Sequence, residues 1–292
     1  MTQYPDFRDW IVELLRRASS DLPEDVVAAL EKARQDEAPN TPARSVFEAI
    51  HRNIEIAREQ STPLCQDTGT NVFKIYHPSG LSTLAMSSDI RDAIAVATEK
   101  NYLRPNSVDS VTGRNTGDNL GPGHPSLHFQ EWDRPETRVR VMLKGGGCEN
   151  MGAQYSLPSQ ALGAGRDMKG VELCALDAIN NAQGKGCGPG IIGVCVGGDR
   201  SASYAAAKEQ HFRKLDDSND DPELAGLEAR LMDKANRLGI GPMGFGGKTT
   251  TLAVKATKLN RLPASFFVSV SYMCWECRRR DMWIKDGEMN IE

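Results

Sequence analysis

The stretch Gly186-Cys187-Gly188-Pro189-Gly190-Ile191-Ile192-Gly193-Val194-Cys195-Val196-Gly197-Gly198 decides the fold. Ile191–Val196 is a short apolar run between glycine turns, which reads as a buried strand and is far too short to span a bilayer. Upstream, Val171–Ala182 has helical spacing and leads into the loop Gly184–Gly190. Further back, Val139, Val141 and Leu143 alternate as a strand that Gly145–Gly147 end, and Asn71–Tyr76 reads as another. Downstream, Leu224, Leu227 and Leu231 form a helix ending near Gly239, followed by strands at Thr249–Val254 and Phe266–Tyr272. Lys208–Asp221 is charged and polar and reads as a surface connection.

The N-terminus is helical. Trp10, Ile11, Leu14 and Leu15 share one helical face; Asp21 and Pro23 mark a second helix start, and Thr41–Pro42 a third, with Val46, Phe47, Ile50 and Ile54 inward. A further helix is expected over Ser88–Lys100. Residues 104–128 are rich in Gly, Pro, Asn and Asp, which makes a long ordered loop, and such loops are often functional. The fold expected is mixed α/β: one domain over 1–292, with a helical N-terminal lobe (1–60) packed on a sheet-containing part (61–292).

The 292 residues carry 35 Lys and Arg against 39 Asp and Glu, a net charge of −4 at pH 7. No global field attracts nucleic acid or an anionic membrane, although a local basic cluster can still serve a small anionic substrate. Met1–Arg17 has no apolar core of a targeting signal, so the expected location is cytoplasmic.

Seven cysteines, odd in number and widely spaced, do not read as a disulfide framework. Cys174 and Cys195 sit in apolar stretches and read as packing. Three others sit in loops at element ends: Cys65 in Pro63-Leu64-Cys65-Gln66-Asp67-Thr68-Gly69, Cys187 in Gly186–Gly190, and Cys274 in Met273-Cys274-Trp275. Loop ends on a rigid sheet are where sites are commonly built. Spacing alone leaves packing, a metal and a cluster all open. Cys274 and Cys277 form a C-x-x-C pair without the second pair of a zinc knuckle or the context of a redox dithiol. His124 and His128 lie in a Pro/Gly loop without assured helical zinc geometry. Gly244–Thr250 superficially resembles a phosphate loop, but Met243 stands where Walker A needs its first glycine. Arg278–Arg280 reads as a solvated chain end, with an anion patch as the alternative.

Pro63–Gly69, Lys144–Gly147, Cys187–Gly198, Gly239–Thr250 and Cys274-Trp275 occur in that order. The series resembles the α subunit of two-subunit class I fumarate hydratases and L-tartrate dehydratases. The resemblance implies that Cys65, Cys187 and Cys274 hold a [4Fe–4S] cluster with one open iron, since a cluster normally takes four thiolates. It implies that Gln66 and Asp67 lie at the substrate and act in catalysis, that Arg104 binds a substrate carboxylate, and that Gly147 contacts substrate through its backbone. It further implies a β subunit that carries the catalytic base, in an α2β2 assembly. The reaction implied is reversible dehydration of a 2-hydroxy dicarboxylate, malate to fumarate foremost, with L-tartrate or mesaconate as alternatives. Cys148 stands where single-chain fumarases tend to have Ser, as tartrate dehydratases have. Asn115–Asn119 and Gly246–Thr250 look more like the fumarase branch. Rival classes are a redox-sensing or electron-transfer cluster protein and a structural zinc protein.

Overall fold

A computed structural model describes residues 4–292. The helices are α1 (Phe7–Ser20), α2 (Glu24–Asp36), α3 (Pro42–Gln60), α4 (Thr83–Glu99), α5 (Gly146–Glu149), α6 (Met168–Ala182), α7 (Arg200–Glu209) and α8 (Pro222–Arg237). The strands are β1 (Thr70–His77), β2 (Ser126–Glu131), β3 (Thr137–Lys144), β4 (Ala153–Ser156), β5 (Gly190–Gly197), β6 (Thr251–Leu259), β7 (Phe267–Met273), β8 (Arg279–Lys285) and β9 (Glu288–Ile291). The class is mixed α/β, as the sequence indicates. Among the described residues no helix is long and apolar enough to cross a membrane.

The chain forms two compact units, each assembled from separated stretches: 4–23, 52–146 and 278–292 in the first, 24–51 and 147–277 in the second. In the first unit a five-stranded sheet runs in the order β2-β1-β3-β8-β9. Only β1–β2 is parallel; the other pairs are antiparallel. One face of this sheet gives Phe73, Ile75, Val139, Val141, Leu143, Met282 and Ile284 to a core completed by Phe7, Ile11, Leu14 and Leu15 of α1 and Ile90 and Ile94 of α4. Alternation in β1 and β3 builds that face, and each such side chain contributes about 1.5–3 kcal/mol on burial. α4 starts at Thr83, five residues before the expected Ser88, because Ser82 caps it by accepting the Ala85 N–H at 3.2 Å.

The second unit has a four-stranded sheet, β4-β7-β5-β6, with β5 parallel to β6 and antiparallel to β7. All eight residues of β5 are buried, as its unbroken apolar run requires. Aspartates start three of the helices here: Asp167 accepts from Gly170, Asp199 from Ser201 and Ala202, and Asp221 from Glu223 and Leu224.

Two expectations are corrected. Lys208–Asp221 is not wholly a surface connection, since α7 runs into it and His211 and Phe212 are buried. Arg278 and Arg279 are not a solvated end: both are buried at the start of β8, where Arg278 is 1% exposed. The Arg278 guanidinium donates to the carbonyl of Asp67 at 2.8 Å.

α6 and α8 are tied by buried Glu172, which accepts from Arg230 Nε at 2.9 Å and from Lys234. Burial opposes the charge on Glu172, but the Lys234 and Arg230 bonds outweigh it and lower its pKa below the ordinary 4.5. A depressed folded-state pKa stabilises above the unfolded value and is lost as pH falls through the folded one. Glu172→Gln is therefore expected to cost about 1 kcal/mol at pH 7, a value held down by the solvent exposure of both cations. Thermal unfolding across pH 3–7 checks this, and the gap from the parent chain should close below about pH 4.5.

Candidate functional site

The Cys65 segment belongs to the first unit. It leaves α3 through Leu64, whose N–H donates to Ser19 O at 2.9 Å and whose C=O accepts from Asn53 Nδ2 at 2.9 Å. Cys65 is half-buried and Gln66 exposed. Asp67 then turns inward. Its Oδ1 accepts the Gly69 N–H at 3.0 Å, and its Oδ2 accepts the Gly146 N–H at 2.7 Å. The carboxylate thus joins the cysteine segment to the triple-glycine turn after β3. Gly69 has φ +80°, and a Cβ there would lie 2.6 Å from the Lys144 backbone, so only glycine allows this approach.

The long loop is pinned to the same segment. Arg104 N–H donates to Thr68 Oγ1 at 3.2 Å, and Asn106 Nδ2 donates to the Gln66 carbonyl at 3.2 Å. The organising residue is Asn119, buried and left-handed at φ 63°. Its Oδ1 accepts from the N–H groups of Asn106 (2.8 Å) and Ser107 (3.2 Å), while its Nδ2 donates to Arg104 O (2.8 Å) and Thr98 Oγ1 (3.0 Å). Arg104 is thereby held exposed on a backbone fixed to Thr68 and Asn119.

In the second unit Cys187 is exposed and Cys274 buried. The two segments meet, because the Trp275 N–H donates to Cys187 O at 3.3 Å. Tyr272, on β7, lies under the Cys187 loop. Burial pushes its hydroxyl well above the ordinary phenol range, with the Cys274, Cys148 and Cys187 thiols adding in the same sense. The loop is locked from its other side by Met243 N–H to Gly188 O (3.0 Å) and Gly190 N–H to Thr250 O (2.9 Å). Gly147 is exposed, at the end of the triple-glycine turn.

The other cysteines differ. Burial, with Asp177 adding, pushes the Cys174 thiol up to about 11. Burial also raises Cys195, against an opposing bond to Ser203. Such thiols are poor nucleophiles and poor ligands. Cys277 is buried with its thiol directed at His211 O, 3.7 Å away.

The phosphate-loop alternative fails on its donors. The N–H groups of Lys248 and Thr249 go to Glu37 Oε1 at 2.7 and 3.0 Å, and those of Thr250 and Thr251 to Asn236 Oδ1 at 2.8 and 2.9 Å. A phosphate cradle needs those donors available.

Among the described residues no group of three His, Cys, Asp or Glu side chains is placed to hold a metal ion. What the structure brings together is the Cys187 and Cys274 segments in one unit, and in the other Asp67 with Gly146 and Thr68 with the Arg104 backbone. The donors are soft sulfurs on loop ends, which suit iron–sulfur chemistry better than magnesium or calcium.

The family model for fumarate hydratase (Fumerase) matches residues 8–282. The chain belongs to that family. It is 51% identical over 270 residues to a protein assigned as a class I fumarate hydratase in Geobacillus stearothermophilus, covering 91% of this chain and 52% of that one. It therefore spans about half the length of that relative. It is 35% identical over 283 residues to a protein assigned as an L(+)-tartrate dehydratase subunit alpha in Methanocaldococcus jannaschii, covering 95% and 97% of the two chains. It is 29% identical over 267 residues to the L(+)-tartrate dehydratase subunit alpha of Escherichia coli K12, covering 89% and 85%.

Asn119 and Tyr272 were not singled out in the sequence. Asn119 closes a quoted motif, Asn115–Asn119, but its partners lie 12 to 21 positions away. Tyr272 carries one signal: glycines at 186, 188 and 190, every second residue, mark a surface pressed against something bulky.

Asn119→Ala takes the acceptor from the Asn106 and Ser107 N–H groups and one of several partners from the Arg104 carbonyl and the Thr98 hydroxyl. It is expected to cost about 3 kcal/mol and to speed amide exchange at Asn106 and Ser107 selectively. Denaturant unfolding and site-resolved hydrogen exchange measure the two.

Proposed function

We propose that this chain is the alpha part of a class I hydro-lyase that interconverts a 2-hydroxy dicarboxylate and its unsaturated product, malate and fumarate in the first instance. The observation that carries the substrate is the 51% identity to the protein assigned as a fumarate hydratase, against 35% and 29% for the proteins with tartrate dehydratase names. Cys148, after the triple glycine, keeps tartrate as the second reading.

Cys65, Cys187 and Cys274 would hold a [4Fe–4S] cluster. When bound, it supplies Lewis acidity toward a carboxylate and a hydroxyl through the iron that lacks a thiolate. The chain's own residues do the rest. Arg104, exposed on a backbone fixed by Asn119, pairs bidentately with a carboxylate. Gln66 offers an exposed amide to orient a hydroxyl or water. Asp67 is the second residue of the pair at the substrate, and Gly147 contacts the substrate through its backbone. The proton-accepting base comes from a second polypeptide, which the subunit names of two relatives support. The assembly proposed is α2β2, in the cytoplasm.

The decisive experiment is anaerobic purification with the partner polypeptide, followed by assay with malate, fumarate, L-tartrate and mesaconate. Turnover of none of the four would sink the reading.

Cys65→Ser, Cys187→Ser and Cys274→Ser are each expected to lose the brown colour and more than about 100-fold of activity. Cys174→Ala and Cys195→Ala should keep both and cost about 1–2 kcal/mol in stability. Iron and sulfide analysis beside thermal melts separates the two groups.

Air exposure should abolish activity far faster than the protein unfolds. Ferrous iron and a thiol reductant should restore it anaerobically, and substrate should slow the loss. A zinc site would be indifferent to all three treatments.

A further inference from the structure

Cys187 breaks a backbone rule in an informative way. Its φ is +53°, the left-handed region that favours glycine, while its neighbours Gly186, Gly188 and Gly190 keep ordinary φ. These glycines are therefore not there for torsional freedom. They are there for room. A Cβ on Gly186 would lie 2.4 Å from Tyr272 Cε1, and one on Gly190 would lie 2.4 Å from Tyr272 Cζ and 2.6 Å from its Oη. A Cβ on Gly188 would lie 3.2 Å from the same hydroxyl. The distances at Gly186 and Gly190 are well inside van der Waals contact and that at Gly188 is tight, so the loop is wrapped on the ring with no space for a side chain at Gly186 or Gly190.

The ring is itself fixed. Tyr272 is 3% exposed and pairs opposite Ile192 in the β5–β7 ladder. Two residues on in the same chain is Cys274, and the next N–H, from Trp275, grips the Cys187 carbonyl. One strand end thus carries the object that shapes the Cys187 loop, the second thiol, and the bond that ties the two together.

We propose that Tyr272 is the positioning residue for the Cys187 sulfur. Its ring is the former on which Gly186–Gly190 folds, and it holds the exposed Cys187 in its left-handed conformation, with its carbonyl tied to the segment that carries Cys274. The ring accounts for most of the placement: a phenylalanine keeps the ring atoms against Gly186 and Gly190 and loses only the hydroxyl, whereas a leucine loses the ring. The inference deepens the cluster reading above and rests on it for its consequence, though the moulding of the loop stands without any metal.

The test therefore has two arms. The first needs no metal. Gly190→Ala, Tyr272→Ala and the double variant are compared by denaturant unfolding of the full chain. The expected result is that Gly190→Ala is strongly destabilising alone and much milder when the ring is absent. Additive effects would overturn the moulding. In the same arm, alkylation of Cys187 by iodoacetamide, read by mass spectrometry, should change several-fold in Tyr272→Leu and little in Tyr272→Phe. An unchanged rate in the folded Leu variant counts against the proposal.

The second arm uses the cluster reassembled anaerobically from ferrous iron and sulfide on the chain with its partner. Iron release to a chelator should be about 10- to 100-fold faster in Tyr272→Leu, the range typical for loss of a residue that orients a ligand, and close to the parent rate in Tyr272→Phe. A merely structural tyrosine would move the melting temperature and the release rate together; here the Phe variant should restore the rate even where some stability is lost. Parent-like iron release from a folded Leu variant overturns the positioning role. If the parent chain assembles no cluster, the cluster reading fails, and the first arm still decides the moulding.

Discussion

The first unit depends on one carboxylate. Asp67 accepts N–H groups from Gly69 and Gly146, and its own carbonyl accepts from Arg278. Those bonds tie the chain entering β1 to the chain leaving β3 and the chain entering β8, three stretches far apart in sequence. Glycine-rich turns at such a junction have N–H groups without ladder partners, and a buried donor left unpaired costs about 1–3 kcal/mol. Asp67 removes that cost at a point where Gly69 and the Lys144 backbone already touch. Both of its oxygens thus serve the architecture of the first unit. Replacing Asp67 would release the Gly69 and Gly146 N–H groups together.

The same device recurs wherever the chain makes an irregular turn near a candidate function. Asn119 gathers the 104–119 loop, Glu37 takes the N–H groups of Lys248 and Thr249, and Asn236 takes those of Thr250 and Thr251. A short polar side chain with two acceptor lone pairs can serve two consecutive peptides, which a backbone carbonyl in regular structure rarely does. Loops built this way are rigid without being packed. Rigidity on a sheet scaffold is what a ligand-bearing loop needs, because misplacement of reacting groups by about 1 Å can cost 100-fold in rate. It also explains why the glycine-rich segment before β6 is not an anion site: its donors are already used inside the protein.

Much of this was legible in the sequence. β5, β6 and β7 followed from apolar runs between turn residues, and the loop character of Cys65, Cys187 and Cys274 from their glycine and proline neighbours. The strand β8 was not, because an Arg-Arg-Asp-Met-Trp pattern reads as solvated until Arg278 is seen to donate to the Asp67 carbonyl and Asp281 to accept from Arg140. α7 was hidden by an alanine- and serine-rich face whose buried members, Ser203 and Ala207, give no hydrophobic period. Asn119 and Tyr272 act through partners that only the folded chain supplies. Residue type marks a capable group, and tertiary pairing decides what it is used for.

Register makes the last link between fold and chemistry. Side chains on a strand alternate faces, so a slip of one residue between β5 and β7 would turn Tyr272 away from the Cys187 loop and move Trp275 out of reach of the Cys187 carbonyl. The two faces of β7 forbid that slip, since it would exchange buried Val268 and Val270 with Ser269 and Ser271, whose hydroxyls pair with Ser203 and His211. Ordinary core packing therefore fixes the register, the register fixes Tyr272, and Tyr272 fixes the loop that holds Cys187 against its torsional preference. A non-glycine residue at positive φ costs on the order of 1–2 kcal/mol and persists only where its surroundings impose it. Here the imposition is traceable, step by step, to Val268 and Val270, which lie further back along β7 than the site.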